Sequence, residues 1–282
     1  MDAGSGSLET LRREIDEIDD SMHDLLMRRA EIVRRIGALK GPNNPILYRP
    51  EREAQLLRRL VERHRGELPV MAVVRIWREI LTASTRLQGD FSLAVWRSDT
   101  DATVWQVARS HFGSDVPATP YNSVSQVINA VTRGEASIGL LPAPQQDDAA
   151  SWWPTLLGED VPRVVSRLPF LLTQGGTTHD GADALAIARH EALPSGSDRS
   201  LVVIELDTPA SRGKVVEAFA GAGLDVGQQI VVGDGSGDGP QLHLLDVADY
   251  VKADDARLSA ACLLLGAVRV TRLGGYAIPV AV

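Results

Sequence analysis

A single cysteine, Cys262, among 282 residues excludes an internal disulfide framework and fits a reducing compartment. It lies in the apolar run from Ala260 to Ala267 with no base or helix start beside it, so it reads as a buried structural thiol rather than a nucleophile. No apolar run reaches the roughly twenty residues that span a bilayer. The opening Met1 to Ser7 has neither the basic nor the apolar region of a secretory signal, so a cytoplasmic protein without membrane contact is expected. The six histidines are scattered without ligand spacing, which argues against a zinc site, and no other metal is called for. The Gly/Asp run 233–239 lacks a Gly-x-Gly-x-x-Gly spacing and reads as a hairpin loop, not a phosphate or calcium site.

What is present is a soluble composition, 44% hydrophobic and 23% charged, long enough for two or three domains. The net charge of −8 conceals an asymmetry. Residues 1–90 hold 16 Lys and Arg against 15 Asp and Glu, and the remainder 13 against 22. An acidic protein with its cations gathered in one helical segment suits a small anionic ligand, not a nucleic acid, which needs a broad positive surface.

The first helix runs from about Leu8 to Lys40. Leu8, Leu11, Ile15, Ile18, Met22, Leu25, Ile32, Ile36 and Leu39 recur mostly three or four apart, and Gly41-Pro42 is a stop signal. A helix of that length without a break calls for a coiled partner. Helix geometry puts Arg29 and Lys40 roughly 16 Å apart along the axis and about 20° apart around it, close enough in azimuth to share a small ligand. Arg12 lies roughly 25 Å before Arg29 and is turned by about 100°, so it reaches that pocket only from a second copy of the chain.

A second helix starts at Pro50, with Arg52 and Glu53 in its first turn, and runs to about Arg65. A third runs from Pro69 to Gln88, with Trp77 on its apolar face and Ser84 and Gln88 on one side. Three helices of such unequal length do not close a core alone, whereas two copies would. Arg34, Arg35, Arg58 and Arg59 read as solvated helix faces.

From Phe91 the texture becomes α/β. Strands are expected at 91–96, 117–121, 138–142, around Val164-Val165 and at 170–172, and helices at 124–133 and 182–190, with 145–159 a loop or crossover. The last section, from Ser200, reads βαββαβ: a strand at 200–206, a helix at 211–221, strands at 226–232 and 241–247, a helix at 253–265 and a closing strand. That order is a ferredoxin-like sandwich.

Residues 8–88 resemble the all-helical, AroQ-type chorismate mutases. The resemblance rests on Leu11-Arg12 with Asp19, Arg28-Arg29, Ile36-Gly37-Ala38-Leu39-Lys40, Tyr48-Arg49-Pro50-Glu51-Arg52-Glu53, and Ser84 with Gln88. Each piece alone is weak, and the ordered set is specific. The family rearranges chorismate to prephenate as an intertwined homodimer without metal or cofactor. The resemblance implies that Arg12 serves the neighbour's pocket in trans and that Arg29 grips a carboxylate in its own. Lys40 and Gln88 would bind the ether oxygen, Arg52 the polar end of the substrate, Glu53 its hydroxyl and Ser84 a carboxylate. Where the enteric pattern has an aspartate this chain has Arg49, which leaves the hydroxyl contact open.

The segments 108–113, 134–142 and 163–172 resemble prephenate dehydratases, and Ser200 to Gly223 resembles an ACT domain. The dehydratase Thr-Arg-Phe motif is missing, Pro144-Gln145 replaces its Glu-Asn-Ser, and the region is short for two lobes. The phenylalanine-binding signatures of ACT domains are missing too. The expectation is a multidomain chain: an all-α mutase domain (1–90), an α/β dehydratase-like region (91–198) and an α+β ACT-like domain (199–282). Its expected activity is chorismate mutase, of the shikimate pathway to phenylalanine and tyrosine, with an inert regulatory or structural tail. A bifunctional mutase–dehydratase, an isochorismate lyase and a non-catalytic small-anion or amino-acid binder stay open.

Overall fold

A computed structural model describes residues 3–40, 46–146, 151–172, 183–233 and 239–281. Three helices come first: α1 (Ala3–Lys40), α2 (Pro50–Arg63) and α3 (Val70–Arg86). At 1.5 Å per residue the 38 residues of α1 reach about 57 Å. Most of that length stands clear of the chain, with Leu8, Leu11, Ile15, Ile18, Met22 and Leu25 each more than half exposed. Near its C-terminal end α1 meets α3. Gly37 permits the approach, because a Cβ there would stand 3.2 Å from the Cα of Gln88.

α2 and α3 pack together and bury Ala54, Leu57 and Val74 against Phe170 and Ala277 of the strand region. Arg58, expected to be a solvated face, is a clamp instead. Its Nη1 donates to the Ser195 Oγ at 2.9 Å, and its Nη2 to the carbonyls of Ser197 and Ile278 at 2.8 and 2.9 Å. The partners lie more than 130 residues away in sequence, so no local spacing could disclose them.

The rest of the chain forms β1 (Leu93–Trp96), α4 (Thr103–Phe112), β2 (Ala118–Tyr121), α5 (Val124–Thr132), β3 (Ile138–Pro142), a 3-10 turn at Trp153–Leu156, β4 (Arg163–Leu168), β5 (Leu171–Leu172) and β6 (Ala184–Ala188). It continues through β7 (Asp198–Leu206), α6 (Arg212–Gly221), β8 (Asp225–Val232), β9 (Gln241–Ala248), α7 (Ala256–Leu265), β10 (Arg269–Ala277) and β11 (Val280–Ala281). Among the described residues one sheet of nine strands holds it together, in the order β2-β1-β3-β6-β4-β10-β7-β9-β8. β1 pairs parallel with β2 and β3, while β6 runs antiparallel to both β3 and β4. The β10-β7-β9-β8 end is antiparallel and has the ferredoxin-like order expected of a βαββαβ unit. β11 pairs with β5 in a small second sheet.

The two ends of the large sheet meet where β4 and β10 pair in parallel through Val164 and Gly274. Gly274 has φ +134°, and a Cβ on it would collide with the Val164 carbonyl, so only glycine allows the strands to join.

Two elements differ from expectation. Segment 182–190 holds a strand, not a helix: β6 is buried at all five positions between β3 and β4. Alanine favours helix in isolation. In Ala184-Leu185-Ala186-Ile187-Ala188, however, both faces are covered, and no alternation remains to announce a strand. Helix α4 was not foreseen. Asp101 Oδ1 accepts the Thr103 N–H at 2.8 Å at its start, and Val104, Val107, Ala108 and His111 form its buried face. Of the Gly/Asp run, residues 234–238 lie outside the described residues, as do 147–150 of the expected loop. Cys262 is half-buried, and burial pushes its thiol pKa up. Among the described residues no helix is long and apolar enough to cross a membrane.

Candidate active site

A cavity of about 620 Å³ opens between the C-terminal part of α1, the segment Leu47–Arg49, and helices α2 and α3. Seven of the eight residues singled out from sequence line it: Arg29, Lys40, Arg49, Arg52, Glu53, Ser84 and Gln88. Helix geometry delivers them. Arg29 and Lys40 project from one side of α1, Arg52 and Glu53 from the first turn of α2, and Ser84 and Gln88, four residues apart, from the end of α3. The eighth, Arg12, is exposed on the free part of α1 and is not in the wall of this cavity.

The polar groups are already tied together. Arg29 Nη1 donates to the Ser84 Oγ, and Lys40 Nζ donates to the Gln88 Oε1 at 3.1 Å. The Gln88 amide nitrogen in turn donates to the Ser84 carbonyl at 3.1 Å, which fixes the amide with its oxygen toward Lys40. Arg52 Nη1 reaches the Gln55 Oε1 at 3.4 Å. Arg49 lies 3.7 Å from Glu51.

Burial lowers the pKa of Arg29, and burial followed by the charge of Arg49 lowers that of Lys40, with Glu51 opposing. Glu53 is half-buried, and its carboxyl is pushed up to about 7, first by burial and secondarily by Glu51, while Arg78 pulls it down. The wall thus carries five cations against one carboxylate, because Arg59 joins Arg29, Lys40, Arg49 and Arg52. Arg59 was read from sequence as a solvated face. It stands seven residues beyond Arg52, two helical turns along the same side of α2, and that spacing was the available signal. Trp77, Leu56 and Leu81 supply an apolar wall. Such a site is built to hold a small, multiply charged anion by fixed donors.

Residues 11–89 match the family chorismate mutase type II, and this N-terminal segment is a chorismate mutase type II domain. The chain is similar to the bifunctional chorismate mutase/prephenate dehydratase of Pseudomonas aeruginosa, 28% identical over 153 residues, which cover 52% of this chain and 42% of that protein. The protein of the same description from Aquifex aeolicus is 32% identical over 139 residues, covering 48% and 38%. These likenesses run past the helical domain into the strand region, yet span only about two fifths of the relatives' length. A solved structure described as GqqA, a novel type of quorum quenching acylase, shares the fold at a TM-score of 0.50 and 15% identity, over 67% of this chain and 96% of that one.

Proposed function

We propose that this protein is a chorismate mutase, converting chorismate to prephenate in phenylalanine and tyrosine biosynthesis, and acting as a homodimer in the cytoplasm. The observation that carries the reading is the cavity of the helical domain, where Lys40 and Gln88 pair 3.1 Å apart amid four further cations and one carboxylate. A Claisen rearrangement is intramolecular and needs no nucleophile or cofactor, so the protein helps only by folding the substrate and stabilising charge as it develops. Arg29 with Ser84 grips one carboxylate. Lys40 and Gln88 face the ether oxygen, where a preorganised donor is worth roughly 3 to 4 kcal/mol in the transition state. Arg52 and Arg49 hold the polar end, and Glu53 accepts from the substrate hydroxyl.

Arg12 closes the site from the neighbouring chain. Its distance from Arg29 along a continuous helix and the bare apolar face of α1 support this arrangement. The strand region, divided near residues 90 and 198, serves as scaffold or dimer contact and carries no dehydratase activity. The missing motifs named above support that assignment.

Chorismate turnover by the purified chain, with Arg29→Ala and Lys40→Ala as controls, tests the reading. A wild type no faster than the controls, or one preferring isochorismate, overturns it. A second reading, a bifunctional mutase–dehydratase, is favoured by likenesses that extend beyond the helical domain. Phenylpyruvate formed from prephenate would establish it.

A further inference from the structure

Two arginines tie the helical domain to the strand region from outside the cavity: Arg58 on the Ser195 Oγ, and the buried Arg78 on His111 of α4, whose Nε2 is 3.1 Å from the Arg78 Nη1. Neither arginine lines the cavity. A different contact does reach its wall. Arg49, the residue that caps α2, lines the cavity, and its Nη1 stands 3.7 Å from Oε1 of Glu51. Among the described residues this is the one ion pair that Arg49 makes. Its main chain is held as well, because the Arg49 carbonyl accepts the N–H groups of Arg52 and Glu53 at 3.0 and 3.1 Å.

Glu51 is not in the wall. It is 8% exposed and lies in the first turn of α2, where the helix dipole favours a carboxylate. Its Oε2 is buried and makes no hydrogen bond. A carboxylate taken out of water and left half-satisfied is costly unless a cation meets it, and Arg49 is that cation. The other ionisable group close to Arg49 cannot replace Glu51: His190 is a neutral ring, its pKa brought to about 4 by burial and then by Arg49 itself. Lys40 is affected by both members of the pair, since after burial Arg49 lowers its pKa and Glu51 raises it.

We infer that Glu51 is a positioning residue for Arg49: from behind the wall its carboxylate holds the guanidinium in the cavity, and it offsets the charge that Arg49 adds to a site already carrying Lys40. The inference rests on the mutase reading of the cavity and adds to it a residue that touches no substrate.

The test is a double-mutant cycle on the full chain, with kcat and KM for chorismate measured in wild type, Glu51→Gln, Arg49→Met and the double variant. Glu51→Gln should raise KM about tenfold and leave kcat within about threefold, the mark of lost binding that ground and transition states share. Arg49→Met should do the same. Adding Glu51→Gln to Arg49→Met should cost less than about twofold more, because nothing is left for the carboxylate to hold. Arg49→Lys, which keeps a cation, should keep the sensitivity to Glu51→Gln. An unchanged KM in Glu51→Gln, or a cost as large in the Arg49→Met background as in wild type, overturns the inference. If Glu51→Gln does not fold, Glu51→Asp, whose charge is drawn back by one methylene, takes its place in the cycle and is judged by the same two outcomes. A readout independent of turnover is the Nε–H NMR signal of Arg49, assigned by its loss in Arg49→Met. Glu51→Gln should shift that signal and speed the rotation of the guanidinium, and a signal that does not move overturns the inference. If the wild type does not turn over chorismate, the mutase reading fails, and the Arg49 signal still decides what Glu51 does.

Discussion

Leu140, Leu141, Val164 and Ile187 in the sheet are fully buried, while Leu11, Ile15, Ile18 and Leu25 of α1, equally apolar and regularly spaced, stand more than half exposed. Burying one such side chain is worth about 1.5 to 3 kcal/mol. The sheet region collects that gain within one chain, with α4, α5 and the tryptophans Trp152 and Trp153 closing its cores. The helical domain does not, and the same domain leaves Arg12 outside its own cavity. A bare apolar face and a cation outside the cavity thus occur on one helix, and the proposed second copy would answer both.

Substitutions should separate the two regions. The largest effect is expected from Ile15→Asp with Ile18→Asp, which should abolish mutase activity and convert dimers to monomers by light scattering, while the sheet keeps its circular dichroism and melting transition. Lys40→Ala should lower kcat/KM by about a thousandfold. Arg12→Ala should also be crippled, yet mixing it in equal amounts with Lys40→Ala should recover about a quarter of wild-type activity, because half of the dimers then hold one intact site. No recovery after subunit exchange would rule out that Arg12 acts from the neighbouring chain.

Gly274→Ala probes the other region. It should cost about 2 kcal/mol or more by urea unfolding, from its positive φ and the collision with Val164. Glu53 gives the smallest effect, and its sign follows from burial. The folded carboxyl titrates at about 7, above its ordinary 4.5, so the unfolded chain gives up the proton first. Its contribution to stability is present below about pH 4.5 and is lost as the pH rises to 7. Glu53→Gln should therefore be more stable than wild type at pH 8 and no different at pH 4, and it should flatten the acid limb of kcat.

What could be read from sequence was whatever repeats at short range. The three- and four-residue spacing of α1, Pro50 at the start of α2, and the apolar runs at β7 and β9 were all visible; helix geometry singled out Arg29 and Lys40, and the resemblance to AroQ-type mutases added the other cavity residues. β6 was not, because alanine, which favours helix in isolation, holds three of its five positions. Arg58 and Arg78 were hidden for another reason: an arginine on an amphipathic helix looks solvated until the fold brings Ser195 or His111 to it. Arg59 lay in view, on the side of α2 that carries Arg52, but its charge resembled that of its neighbours.

Tyr48 sits between Lys40 and Arg52 in sequence, yet its ring is 2% exposed in a core made with Phe91 and Phe112, at 6.2 and 5.4 Å. The loop that carries the mutase residues is thus rooted in the neighbouring module. Cutting the gene after codon 90 would pull out that root, leaving a hole on one piece and a bare aromatic ring on the other. In engineering terms the helical domain is no interchangeable cartridge, and grafting it elsewhere would require a replacement for the Tyr48 socket.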